Sequence, residues 1–114
     1  MAGIIDIHDS AAVISLLRGQ CSVDAIRVTL HAHQEMAEEG ISYDALVEGL
    51  SSGEVIENYP EHQRGACCLV CGQDSSGRFL HVCCTTSHQV AIIITAYEPL
   101  PPKWATPYQR GATT

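Results

Sequence analysis

Apolar residues recur at helical spacing through the first half of the chain and at a period of two through the second. Val13, Leu16 and Leu17 follow Asp9-Ser10, a pair suited to a helix N-cap, and Gly19 supplies a stop. Residues 25–28 read as extended. Thr29 can cap a second helix over residues 31–39, closed by Gly40. Ser42 caps a third over residues 43–50, with Leu46, Val47 and Leu50 on one face, and Ser51-Ser52-Gly53 ends it. Strand patterns then follow at residues 54–59, 66–73, 78–85 and 90–97. The expectation is one α+β domain spanning 1–114, with a core of about 10–110. N-terminal helices pack on one face of an antiparallel sheet of about four strands.

A four-residue loop at Asp74-Ser75-Ser76-Gly77 sets Cys71 opposite Leu80, Val70 opposite His81 and Cys68 opposite Cys83. Alternation then gives Cys67, Leu69, Cys71, Leu80, Val82 and Cys84 to the core face. Cys68, Val70, His81 and Cys83 take the other. The prolines of Glu98-Pro99-Leu100-Pro101-Pro102 exclude a central strand or helix there. That tail should cross the surface and return Lys103, Trp104, Tyr108 and Arg110 to the body.

Composition sharpens the picture. Hydrophobic residues are 46% of the chain and aromatics 5%, so the core must be aliphatic and rich in Ala and Cys. No apolar run reaches the roughly 18 residues of a membrane span, and the start lacks the pattern of a signal peptide. A cytoplasmic, reducing location is expected, with the six cysteines as thiols. The formal charge is −7, from 6 basic and 13 acidic residues, which excludes a global basic footprint for nucleic acid. The acids crowd into residues 35–61, so a locally neutral face on the C-terminal half remains.

Cys68-x-x-Cys71 has the spacing of half a zinc site, but residues three apart on a strand point to opposite faces. These cysteines read as small buried hydrophobes, and no metal or other cofactor is expected. His31 and His33 diverge by about 200° on a helix and cannot share a metal. His81, inside Phe79-Leu80-His81-Val82, must find a partner or face a cleft.

Thr29-Leu30-His31-Ala32, then Met36 and Gly40-Ile41-Ser42, resembles the T-x-H-A…R-M-x-x-R-G-I-S signature of the domain-of-unknown-function 4258 family. Gly53-Glu54-Val55-Ile56-Glu57-Asn58-Tyr59-Pro60, Gly77-Arg78-Phe79-Leu80-His81-Val82 and Thr95-Ala96-Tyr97-Glu98-Pro99, followed by Trp104 and Arg110, extend the resemblance. Such domains are distantly similar to the small RelE-like ribonuclease toxins. That resemblance implies metal-independent RNA cleavage. His31 and His81 would be the acid–base pair and Tyr97 a proton donor or positioning hydroxyl. Arg78 or Arg110 would clamp phosphate, with Trp104 beside the substrate. The implied partners are an RNA substrate and a neutralising antitoxin protein; a homodimer is a further candidate.

Two departures oppose this. The family places arginine where this chain has Glu35 and Glu39, which should weaken phosphate binding and raise the neighbouring imidazole's pKa. The rival expectation is a non-catalytic binding or regulatory module on the same fold. A third, a zinc or thiol redox protein, rests only on the cysteines.

Overall fold

Side-chain caps open each helix in the computed structural model, which describes residues 5–111. Asp9 Oδ1 accepts from the Ala11 N–H at 3.0 Å and starts α1 (Ser10–Ser22). Thr29 Oγ1 accepts from Ala32 at 3.2 Å and starts α2 (Leu30–Glu39). Ser42 Oγ accepts from Ala45 at 3.0 Å and starts α3 (Tyr43–Ser52). Each cap satisfies an N–H that the first turn cannot bond internally, worth about 1 kcal/mol. Gly40 closes α2 at φ +67°, a left-handed conformation open to glycine without strain.

Gly19 does not stop α1, which runs on to Ser22. An isolated glycine costs a helix only about 1 kcal/mol. Tertiary contacts hold the extra turn: buried Gln20 donates to the His88 carbonyl at 2.8 Å, and Cys21 packs against the core.

The main sheet has five strands in the order β1-β5-β4-β3-β2. They are β1 (Ile26–Val28), β2 (Glu54–Tyr59), β3 (Cys67–Gln73), β4 (Phe79–Thr85) and β5 (Ala91–Tyr97). The fold is α+β, and β2 to β5 form the antiparallel meander. The expectation of about four antiparallel strands needs correction. The short segment before α2 joins as a fifth strand and runs parallel to β5, pairing Ile26 with Ala91 and Val28 with Ile93. Three residues carry too little pattern to reveal that direction. A separate hairpin, β6 (Trp104–Thr106) and β7 (Gln109–Arg110), ends the described chain.

The β3–β4 register is one residue away from the expected one. Gln73 pairs with Phe79, so five residues, 74–78, form the loop. Asp74 is the reason. Its Oδ1 accepts from the Ser76 N–H at 2.9 Å, the Ser76 hydroxyl at 2.6 Å and the Arg78 N–H at 3.0 Å. Gly77 takes φ +88°, which lets the loop absorb Arg78. A one-residue slip turns one strand over relative to the other. Val70 therefore faces Val82, Cys68 faces Cys84, and Cys71 faces His81. The core face carries Cys68, Val70, Leu80, Val82 and Cys84, and the opposite face Cys67, Leu69, Cys71, His81 and Cys83. A bulge between Cys83 and Cys84 re-phases β5, so Ile93 and Ala96 both reach the core.

Val13 and Leu17 of α1, Met36 of α2 and Leu46 and Leu50 of α3 complete that core. Helix α3 lies against β3 because both are bare where they meet. A Cβ on Gly72 would sit 1.8 Å from the Gly49 carbonyl oxygen, and one on Gly53 would sit 2.5 Å from Val70. Gly72→Ala should therefore destabilise the domain by about 3 kcal/mol or more. Gly19→Ala, with open space around the new methyl, should stabilise it by about 0.5–1 kcal/mol. Urea unfolding of both proteins checks this; an unchanged midpoint for Gly72→Ala would show that α3 does not rest on β3.

Candidate functional site

His81 is wholly buried at the centre of β4, flanked in register by Cys71 on β3 and Tyr97 on β5. Its Nε2 lies 2.6 Å from the Pro107 carbonyl oxygen. A carbonyl only accepts, so Nε2 carries the proton, and Nδ1, 3.1 Å from the Tyr97 hydroxyl, accepts from it. Both ring nitrogens of neutral His81 are thus engaged inside the protein. Burial pushes the His81 pKa down, opposed by the Pro107 carbonyl and by Glu57. Trp104, 2% exposed, packs edge-on to the imidazole with ring centroids 4.3 Å apart. The prolines of the tail thus bring a hairpin, not a loose strap, over this face of the sheet.

Arg110 anchors that hairpin. Its Nε donates to Glu57 Oε2 at 2.8 Å and its Nη2 to Oε1 at 2.7 Å, while the guanidinium lies 4.7 Å over the Trp104 ring. Two parallel bonds of this kind are the strong form of an Arg–carboxylate contact. They hold the Glu57 carboxyl below its ordinary range and raise the Arg110 pKa. Tyr59 also donates to Glu57, which raises the phenol's pKa.

Helix α2 runs beside the edge of β5 that β1 leaves unpaired after Ile93. Glu35 Oε1 accepts from the Ala96 N–H at 2.8 Å and from the Thr95 hydroxyl, and Glu39 Oε1 accepts from the Glu98 N–H at 2.8 Å. Four residues of helix rise about 6 Å, and two residues of strand about 6.6 Å, so the two ladders match. The two glutamates thus stand in for a missing strand.

Between the exposed sheet face, α2 and the tail lies a cavity of about 430 Å³. Glu35, Glu39, Glu57 and Glu98 bring four carboxylates to its wall. Lys103 and Arg110 bring two cations, and Tyr59, Tyr97 and Trp104 bring aromatic surface. Of the residues singled out in the sequence, Tyr97, Trp104 and Arg110 line it, with His81 in contact with the first two. His31 sits exposed on the first turn of α2, outside the lining. Arg78 is also outside it: its guanidinium donates to the Glu39 and Gly40 carbonyls at 2.7 and 3.2 Å and to Glu98 at 3.1 Å, tying α2 to the β4 turn. Sequence reasoning missed Glu57, Glu98 and Lys103. Only a strand-to-tail contact across 53 residues reveals the Glu57–Arg110 pair.

The six thiols are free. Cys83, which lines the cavity, is pushed up to about 12 by burial and Cys71 to about 11. Neither is a nucleophile near neutral pH. Among the described residues no three His, Cys, Asp or Glu side chains converge as metal ligands, and no helix is long and apolar enough to cross a membrane.

The His81 environment sets a pH dependence. The imidazole titrates at 6.5 when unperturbed and lower when folded, so folding favours its neutral form. Its stabilisation is complete above pH 6.5 and is lost as pH falls through the lowered folded value. Unfolding midpoints should therefore fall as pH drops below 6.5, and His81→Gln should remove that limb of the curve. A wild-type profile that is flat down to the carboxylate range would contradict the burial assigned to His81.

Comparison with curated proteins and with solved structures finds no match. One protein family does match, over residues 28–98, from the last residue of β1 through α2 and α3 to just past β5, with the cavity's hairpin wall following the matched span. The match covers more than half of the chain, which therefore belongs to the family described as domain of unknown function (DUF4258).

Proposed function

We propose that this domain is a non-catalytic binding module and that the cavity between β5, α2 and the C-terminal hairpin is its site. One observation carries the reading: His81, the histidine beside the cavity, is wholly buried with both ring nitrogens engaged, by Tyr97 and by Pro107. A general acid or base must reach the proton it moves. His81 cannot do so without giving up a bond inside the fold.

The rest of the site agrees. Arg110 is spent on Glu57 and Arg78 on α2, so the two expected phosphate clamps are occupied. Four carboxylates on the wall repel a phosphodiester. We place the domain beside the RelE-like toxins by analogy of family alone, as a relative that keeps a cleft without the acid–base pair. The rival reading is a ribonuclease held in check by an antitoxin protein. It needs His31 and His81 within reach of one phosphate, and His31 lies outside the cavity lining.

Expression of the isolated gene should cause no growth arrest, and the purified protein should leave RNA intact. RNA cleavage that disappears in His81→Ala would replace this reading with the ribonuclease one. The binding side has an internal reporter: Trp104 is the sole tryptophan and lines the cavity. An occupant should shift its emission in wild type and not in Thr95→Arg, which fills the cavity.

A further inference from the structure

We propose that the C-terminal hairpin is a lid over the cavity, latched to the sheet through neutral His81 and released when His81 takes up a proton. This rests on the binding-module reading and adds a means of regulating its site.

The hairpin is attached to the body by side chains. Strands β6 and β7 form a separate two-stranded sheet, and among the described residues no backbone hydrogen bond joins it to the main one. Of residues 104–110 only Trp104 is buried. A lone hairpin is marginal in water. Its hold therefore comes down to the Trp104 ring against His81, the Tyr108 ring 5.8 Å from Phe79, the Arg110–Glu57 fork and the bond from His81 Nε2 to the Pro107 carbonyl. A segment with so few buried contacts opens at a lower free energy than the fold as a whole. Lys103, Trp104 and Arg110 line the cavity, so lifting the hairpin removes one of its walls.

The charges around His81 make that opening sensitive to acid. The groups facing the imidazole are Cys71 on β3, Tyr97 on β5, Glu57 on β2, and Lys103 and Arg110 on the tail. Cys71, pushed up to about 11, and Tyr97, raised above its ordinary value, are both uncharged near neutral pH. Glu57 favours a proton on His81, but its carboxylate is spent on Arg110. Lys103 and Arg110 oppose that proton, and both are carried by the tail. A protonated His81 places a third cation beneath the two that flank the lid, in a site closed to water. Lifting the hairpin relieves both penalties: it hydrates the imidazolium and moves Lys103 and Arg110 away. Neutral His81 meets neither penalty and keeps its bond to Pro107.

The test titrates the full chain, without ligand or denaturant, from about pH 7.5 to about pH 5, above the ordinary carboxylate range. It reads Trp104 emission with acrylamide quenching, the far-UV circular dichroism, and the hydrogen-exchange protection of the Trp104 and Gly111 amides against that of the β3–β4 ladder. Below pH 6.5, the unperturbed imidazole value, Trp104 emission should move to the red and become quenchable while the far-UV signal holds. Protection of the two hairpin amides should fall by up to about tenfold per pH unit, the limit for one linked proton. His81→Gln can still donate to Pro107 and should leave Trp104 emission independent of pH. Lys103→Gln removes an opposing cation and should shift the opening to lower pH. Glu57→Gln removes the attracting charge and should shift it to higher pH. A merely structural role would move both variants the same way. Trp104 emission that follows the far-UV signal at every pH, or that stays unchanged throughout in wild type, would overturn the lid. An unaltered pH dependence in His81→Gln would overturn it too. Each of these results leaves the binding module standing, since no ligand is used; RNA cleavage by the same preparation would overturn that reading instead.

Discussion

Asp74 closes its loop with one carboxylate oxygen. Three donors, two of them backbone, converge on Oδ1 and make residues 74–78 a single rigid turn. The length of that turn decides which residue of β4 faces which residue of β3, and so which side of the sheet each side chain occupies. With Gln73 opposite Phe79, Cys68 and Val70 join Leu80 and Val82 in the core, and Cys67, Leu69 and Cys71 share the far face with His81. Had the loop held one residue fewer, β4 would be turned over relative to β3. The make-up of the far face follows from that parity: Leu69 pairs with Cys83 there, and both line the cavity beside Trp104, which packs edge-on to His81.

A second constraint acts at the edge of β5. Strand β1 is only three residues long, so the outer edge of β5 is left with N–H groups that no strand receives. An exposed edge invites pairing with another chain, and covering it is a common remedy. Helix α2 supplies acceptors from its side chains, with Glu35 and Glu39 spaced to meet Ala96 and Glu98. Arg78 then ties the C-terminal carbonyls of α2 to Glu98. The same glutamates that complete the sheet make the cavity acidic, so a structural device and the electrostatics of the site are one feature.

The far face also shows how burial can silence reactive groups. A histidine and several thiols lie together there, a composition that suggests chemistry. Burial drives the imidazole towards its neutral form and the thiols well above their ordinary values. His81 then acts as a neutral connector, accepting from Tyr97 and donating to Pro107. It fastens the C-terminal hairpin to the sheet, a role reinforced by the Arg110–Glu57 fork. Truncating one partner of such a buried network leaves the others unsatisfied, which makes the cluster worth more to the fold than its separate bonds.

The helices and the meander were legible in the chain because capping and periodicity are local. Asp9, Thr29 and Ser42 act within three residues of their targets, and the period-two runs of β3, β4 and β5 need no distant partner to be recognised. Gly19 misled, since a glycine ends a helix only when tertiary contacts do not reward its continuation, and Gln20 and Cys21 have such contacts. His81, Tyr97, Trp104 and Arg110 stand out in the chain as polar or aromatic residues at strand and tail positions, and the structure brings them together. Their roles are not legible in the chain. Whether His81 is a free base or a buried connector depends on a carbonyl 26 residues away, and whether Arg110 is a clamp or an anchor depends on Glu57, 53 residues away. The register of one hairpin, the parallel placement of β1 and the return of the tail are decided by long-range packing. These contacts alone bring separate carboxylates, rings and cations to the wall of one cavity.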